Sequence, residues 1–234
     1  MYIILNNKMN LDIKDMIKYR DYLDNIDFTK YKDLEFIVCP SSIFIPYFTN
    51  KNFILGSQDV SKYISGSYTG EVSSKYLKGF NVGYSLVNHY ERNKYFNEDL
   101  DSVINKINNL IDVDIVPILC ITDSFNLDND IIKEIDYIYN KVSDNSKIIL
   151  CYESSYAIDN NELESLDVIN NNIDIIKNHV INKYNPDVKI IYGGHVNKDT
   201  ISSIIELNNI DGIIMGKDSV NIDDIEGVLE VIYG

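Results

Sequence analysis

Glu153, His89 and Lys8 supply a carboxylate, an imidazole and an amine, and each stands at or just past the end of a short apolar run. Glu153 closes the run Ile148 to Glu153, His89 follows Gly79 to Val87, and Lys8 follows Tyr2 to Leu5. A carboxylate in such a place is a candidate base, and an imidazole and an amine are chemically active groups of the kind a site needs. Three strand ends converging on one point would make a site. The polar, glycine-free stretch Ser154 to Asn161 reads as a loop that leaves Glu153 exposed as a candidate base. Taken singly, each residue has a plainer reading as a solvated loop residue or a helix cap, so the chemistry depends on three strand ends converging.

The elements that would bring them together are short β-branched runs: Tyr2 to Leu5, Glu35 to Cys39, Phe53 to Gly56, Asn81 to Val87, Asp114 to Ile121, Lys147 to Tyr152, Val188 to Tyr192 and Gly212 to Met215. Several are continuously apolar, as in parallel strands covered on both faces. Between them lie amphipathic stretches, among them Leu100 to Ile111 and Val168 to Val180, with apolar residues three and four apart. Strand and helix alternate, and eight such units in 234 residues predict a single-domain (β/α)8 barrel over residues 1–234. Barrels of this kind carry their sites on the loops after the strands, where all three residues fall. No Pro- or Gly-rich linker divides the chain. A doubly wound open sheet is the rival architecture, but the Gly-rich turn it usually carries after the first strand is absent.

A net charge of −15 argues against a nucleic-acid surface, which requires clustered Lys and Arg. A small anion remains admissible, because a few local donors outweigh a distant field that salt screens within about 10 Å. No apolar stretch reaches the roughly 20 residues of a membrane span, and the first ten residues do not make a signal peptide, so a cytoplasmic protein is expected. Cys39, Cys120 and Cys151 lie in or at the ends of apolar runs without the paired spacing of a zinc site. They read as buried reduced thiols, and no metal is expected.

The chain resembles the triosephosphate isomerase family, collinearly and from end to end. Asn6-Asn7-Lys8-Met9-Asn10 resembles that family's Asn-Trp-Lys-Met-Asn, and Cys39-Pro40-Ser41 through Pro46-Tyr47 its second strand-to-loop turn. Gln58-Asp59-Val60-Ser61 with Gly66-Ser67-Tyr68-Thr69-Gly70-Glu71 resembles the loop through which relatives dimerise. Asn88-His89-Tyr90-Glu91-Arg92 resembles Gly-His-Ser-Glu-Arg, Cys120 sits where the family keeps a cysteine, and Cys151-Tyr152-Glu153 resembles Ala-Tyr-Glu. Tyr192-Gly193-Gly194-His195-Val196 and Asp211-Gly212 to Gly216 complete the series. The resemblance implies a glycolytic and gluconeogenic isomerase needing no metal or organic cofactor, with Glu153 as base, His89 as electrophile and Lys8 holding substrate charge. It further implies that Asn6 supports the site beside Lys8 and that Glu91, Thr69 and Cys120 brace it. Glu71 and Arg92 read as structural charge partners. A homodimer through Gln58 to Glu71 is expected, with a sugar phosphate as the small-molecule partner.

Departures from the family pattern cluster at the phosphate end. Where relatives enter the lid with Pro-Val-Trp, this chain has Ser154-Ser155-Tyr156, and the lid tip is Asp159-Asn160-Asn161 in place of Gly-Thr-Gly. His195 replaces a serine, and Gly216 is followed by Lys217 in place of a second glycine. Asp159, His195, Gly216 and Lys217 are therefore the expected substrate-binding residues. A carboxylate at about 5 Å from a phosphate costs on the order of 3 kcal/mol per unit charge at an effective dielectric of 20. Asp159 and Lys217 are expected to complement one another across the closed lid; the alternative is that both point to water while their N–H groups bind. Losing the lid's Pro and Trp predicts slower turnover than a typical relative. The activity implied is interconversion of glyceraldehyde 3-phosphate and dihydroxyacetone phosphate. The alternatives are isomerisation of another short sugar phosphate, such as a four-carbon ketose phosphate, or a weakly active paralogue that acts by binding.

Overall fold

The computed structural model describes residues 1–48, 52–122 and 130–234. Its strands are β1 (Tyr2–Asn6), β2 (Glu35–Cys39), β3 (Ile54–Ser57), β4 (Tyr84–Val87), β5 (Val116–Thr122), β6 (Ile149–Glu153), β7 (Ile190–Gly193) and β8 (Gly212–Met215). Each pairs in parallel with the next, and β1 pairs also with β8, so the sheet closes on itself. The eight expected runs are these eight strands. Two keep their expected bounds and the other six shift by one to three residues, in β4 and β5 where Asn81 and Asp114 take left-handed backbone, φ 58° and 53°, and delay the strand that follows.

Nine α-helices lie among the described residues: α1 (Ile13–Asp24), α2 (Ser74–Gly79), α3 (Tyr90–Phe96), α4 (Leu100–Ile111), α5 (Asp130–Tyr139), α6 (Ser155–Asn160), α7 (Leu166–Lys183), α8 (Ile201–Ile204) and α9 (Ile222–Tyr233). Side-chain caps start several of them. Asp12 accepts the N–H groups of Lys14 and Asp15, and Asp99 accepts that of Ser102. The alternation is not complete, because the β2–β3 link holds a 3-10 segment, Ser42–Phe48, in place of an α-helix. Pro46 lies inside that segment, lacks an N–H and disfavours α backbone in the residue before it.

Strand residues alternate between two cores. Ile4, Ile37, Leu86, Ile118, Ile149, Ile191 and Ile214 fill the barrel interior with all three cysteines. Their neighbours, such as Ile3, Leu5, Val38, Leu119 and Leu150, face outward under the helices. The interior is packed with side chains, so the open end where the strands finish is where a ligand can enter.

Candidate active site

At the C-terminal mouth of the barrel lies a cavity of about 540 Å³, lined by residues that include Lys8, His89, Glu153, His195 and Lys217. Lys8, His89 and Glu153, from three separate strand ends, therefore share one chamber. Lys8, two residues past β1, takes left-handed backbone at φ 51°. Its carbonyl accepts from Ser41 Oγ at 2.8 Å and from Gln58 Nε2 at 2.9 Å, and its N–H donates to Asn6 Oδ1 at 3.2 Å. Asn6 thus stands beside Lys8. The Lys8 ammonium meets Glu91 Oε1 at 2.7 Å. Gly216 makes room for it, since a Cβ there would fall 3.2 Å from Lys8 Cε.

His89 caps α3: its Nδ1 accepts the Glu91 N–H at 3.2 Å, which leaves Nε2 to carry the proton in the neutral ring. Nε2 lies 2.9 Å from Glu153 Oε1, and the Tyr90 N–H donates to Glu153 Oε2 at 2.9 Å. Asn88, just before His89, adopts φ 64° and donates from Nδ2 to the Cys120 carbonyl at 2.9 Å.

Glu153 is not exposed, contrary to the sequence expectation; it is 2% accessible. Its place as the last residue of β6 turns the carboxylate inward onto the imidazole and the start of α3. Burial alone would raise its pKa, but His89, the Tyr90 N–H and Lys8 together hold it below the usual carboxylate range. For His89 burial acts downward, and the adjacent Glu153 carboxylate outweighs it, so the imidazole's pKa lies above its ordinary value while that contact persists. Drawing the carboxylate away would remove that upward influence and leave burial and Lys8 favouring the neutral ring.

The segment after Glu153, read as a loop, is the short helix α6. Ser154 caps it by accepting the Ala157 N–H at 3.1 Å and itself donates to Glu164 Oε2 at 2.7 Å. With no Gly or Pro to break it, the turn runs on to Asn161, which closes it at φ 55°. The helix aims Asp159 at α3, where Lys94 Nζ and the Tyr90 hydroxyl each meet it at 2.8 Å. Asp159 is thus partnered here by Lys94 and Tyr90 rather than by Lys217, which corrects the expected pairing. His195 sits at φ 47° with Nδ1 buried and without a hydrogen-bond partner among the described residues. Gly194 packs against α6, since a Cβ there would lie 3.0 Å from Ala157 Cβ.

Thr69 is exposed and does not line the cavity. Arg92 pairs with Asp59 at 3.2 Å rather than with Glu71, within a cluster that includes Lys106 and Glu98. Cys120 lies beneath Glu153, and the sequence reading missed that Cys151 lies beside it. The signal was available, because Cys151 and Glu153 are two apart on one strand and so share a face. Lys94 and Tyr90 were also missed; only the helix after Glu153 brings Asp159 to them.

A closed parallel barrel that gathers a carboxylate, an imidazole and an ammonium in one cavity at its C-terminal mouth has the parts of an acid–base enzyme. Residues 1–232 match the family model described as triosephosphate isomerase. The chain is 31% identical to the triosephosphate isomerase of Wigglesworthia glossinidia brevipalpis, over 97% of this chain and 93% of that one. It is 32% identical to that of Ehrlichia chaffeensis, over 92% of each. The chain belongs to the triosephosphate isomerase family.

Proposed function

We propose that this enzyme interconverts glyceraldehyde 3-phosphate and dihydroxyacetone phosphate by proton transfer through an enediolate. The observation that carries the reading is the single cavity shared by Lys8, His89 and Glu153. Glu153 takes the proton from the carbon beside the carbonyl and returns it to the neighbouring carbon. His89 Nε2–H donates to the oxygen on which charge develops, and the Lys8 ammonium balances that charge, the division of labour known for the family. The carboxylate now bonded to His89 must leave it, so that the substrate's carbons and oxygens come between the two groups. The phosphate is held at the other end by the N–H groups of the turns at His195 and Gly216–Lys217, with Lys217 and His195 adding side-chain donors. Asn6 and Glu91 hold Lys8, and Cys120 packs under the base. A homodimer joined through Gln58 to Glu71, in which Thr69 braces the partner's site, completes the reading, with the cytoplasm as its compartment.

The second reading, a different short sugar phosphate, is favoured by one observation: His195, Lys217 and the Lys94-bound Asp159 replace small residues at the phosphate end. A substrate panel run on the wild type beside Glu153→Asp and Glu153→Gln separates the readings. Turnover of the triose phosphates, graded downward through Asp to Gln, supports the first. Turnover confined to a longer ketose phosphate supports the second, and no turnover at all points to a binding protein.

A further inference from the structure

We propose that Cys120, Cys151 and Glu153 form a binding site for a thiophilic divalent cation, and that its occupancy arrests the enzyme by capturing the base. The two thiol sulfurs and a carboxylate oxygen lie within 4.8 Å of one another. Register places them: Cys120 and Cys151 are partners across β5 and β6, and Cys151 and Glu153 point to the same barrel face. Both thiols belong to the interior core, while Glu153 lines the cavity, so the cluster lies directly beneath the mouth. Gly193 on the adjoining strand lets that strand pack closely against the cluster, since a Cβ there would lie 2.6 Å from Ile214 Cγ2, 3.4 Å from Glu153 Cγ and 3.7 Å from Cys151 Sγ.

The dimensions suit a tetrahedral ion. Metal–sulfur bonds of about 2.3 Å imply a sulfur–sulfur edge of about 3.8 Å, so the ligand atoms need to close by roughly 1 Å. Rotation about the two Cys χ1 bonds and the flexible Glu stem can supply that without moving the strands. Two thiolates and one carboxylate select Zn²⁺ or Cd²⁺ over Mg²⁺ or Ca²⁺. As the two metal–sulfur bonds form, the two thiol protons pass to solvent; the carboxylate is already ionised, and no electron is transferred. The contacts given up are those of Glu153 with His89 and the Tyr90 N–H, each at 2.9 Å. Cys39, the third thiol, belongs to the same interior core but lies outside this cluster.

Binding stands on this geometry alone, whereas arrest rests also on Glu153 being the base proposed above. The two are separated by titrating Cd²⁺, with a phosphine reductant present, into the wild type, Cys151→Ala, Cys151→Ser and Cys39→Ala. The readouts are the ultraviolet thiolate-to-cadmium charge-transfer band and the isomerase rate relative to each protein's own metal-free rate. The wild type should saturate at one equivalent with the rate falling in parallel. Both Cys151 variants should need at least about tenfold more Cd²⁺, and Cys39→Ala should behave as wild type. Cys151→Ser keeps the side-chain volume, so it serves the comparison if the alanine variant folds poorly. Absence of the band in the wild type, or equal affinity in the Cys151 variants, would overturn the site. A stoichiometric band with an unchanged rate would keep the thiol site and overturn arrest through Glu153, whereas the role of Glu153 as base is tested separately by the Glu153→Gln rate.

Discussion

Glu153 carries opposing influences that its position on β6 resolves. Burial favours the protonated acid, but His89, a backbone N–H and Lys8 favour the carboxylate and prevail, so its pKa lies below the ordinary value. Titration of the Glu153 carboxyl in the free enzyme, followed by NMR of carboxyl-labelled glutamate with Glu153→Gln to assign the signal, should therefore give a pKa below the ordinary glutamate value of about 4.3. A titration at or above that value would show that burial dominates. The same residue adds stability that is present above the unfolded pKa and lost as pH drops through the depressed folded one. At the phosphate end, Lys217→Ala should weaken binding of a phosphorylated inhibitor by about tenfold, equivalent to about 1.4 kcal/mol. Calorimetry showing unchanged affinity would leave Lys217 as a solvated surface cation. Of these residues the sequence displayed Lys8, His89 and Glu153, because each ends an apolar run and matches a family motif. It hid the burial of Glu153 and the partners of Asp159, which depend on how a carboxylate turns at a strand end and on a helix formed where a loop was read.

Among the elements, α5 and α7 are joined at one point. Asp136 on α5 accepts from His179 Nε2 at 2.7 Å, Lys183 Nζ at 2.8 Å and the Tyr184 hydroxyl at 2.8 Å, the last two beside or beyond the end of α7. Burial opposes the charged form, but these donors outweigh it and lower its pKa to about 2. The folded pKa lies below the unfolded one, so this stability is whole above about pH 4 and is lost as pH falls toward 2. Asp136→Asn should cost about 1–2 kcal/mol in urea unfolding at pH 7, a figure discounted for partial exposure, and roughly half as much at pH 3. An equal cost at both pH values would assign the effect to packing. Strand positions were legible because continuous β-branched runs have few other uses in a chain this size. Their ends were less so, since Asn and Asp in left-handed backbone look no different in sequence from those in ordinary turns. The 3-10 link Ser42–Phe48 was likewise hidden, although Pro46 marked where an α-helix would be costly.

At the scale of the whole molecule, the loop proposed to join two subunits is built but outward-facing. Tyr63 and Tyr68 stack at 3.7 Å, and both are partly exposed, while Ser73 Oγ donates to the Ile64 carbonyl and ties the loop's base. Sedimentation equilibrium should give about twice the 26.9 kDa of one chain, and Tyr68→Asp should shift the population toward monomer with reduced kcat. A wild type that sediments as a fully active monomer would remove Thr69 from any role in the site. The barrel itself followed from eight runs in order, whereas a subunit contact leaves no periodic trace and was read from motif likeness alone.

The claim on which the rest depends is that Glu153 shuttles a proton between adjacent carbons of a triose phosphate. It is tested most directly by incubating dihydroxyacetone phosphate with enzyme in deuterium oxide and following deuterium at its C1 carbon by NMR. The wild type should both isomerise the sugar and exchange that hydrogen with solvent, and Glu153→Gln should lose both by at least about 100-fold. Exchange that persists at the wild-type rate in Glu153→Gln would contradict the account, because some other group would then be removing the proton.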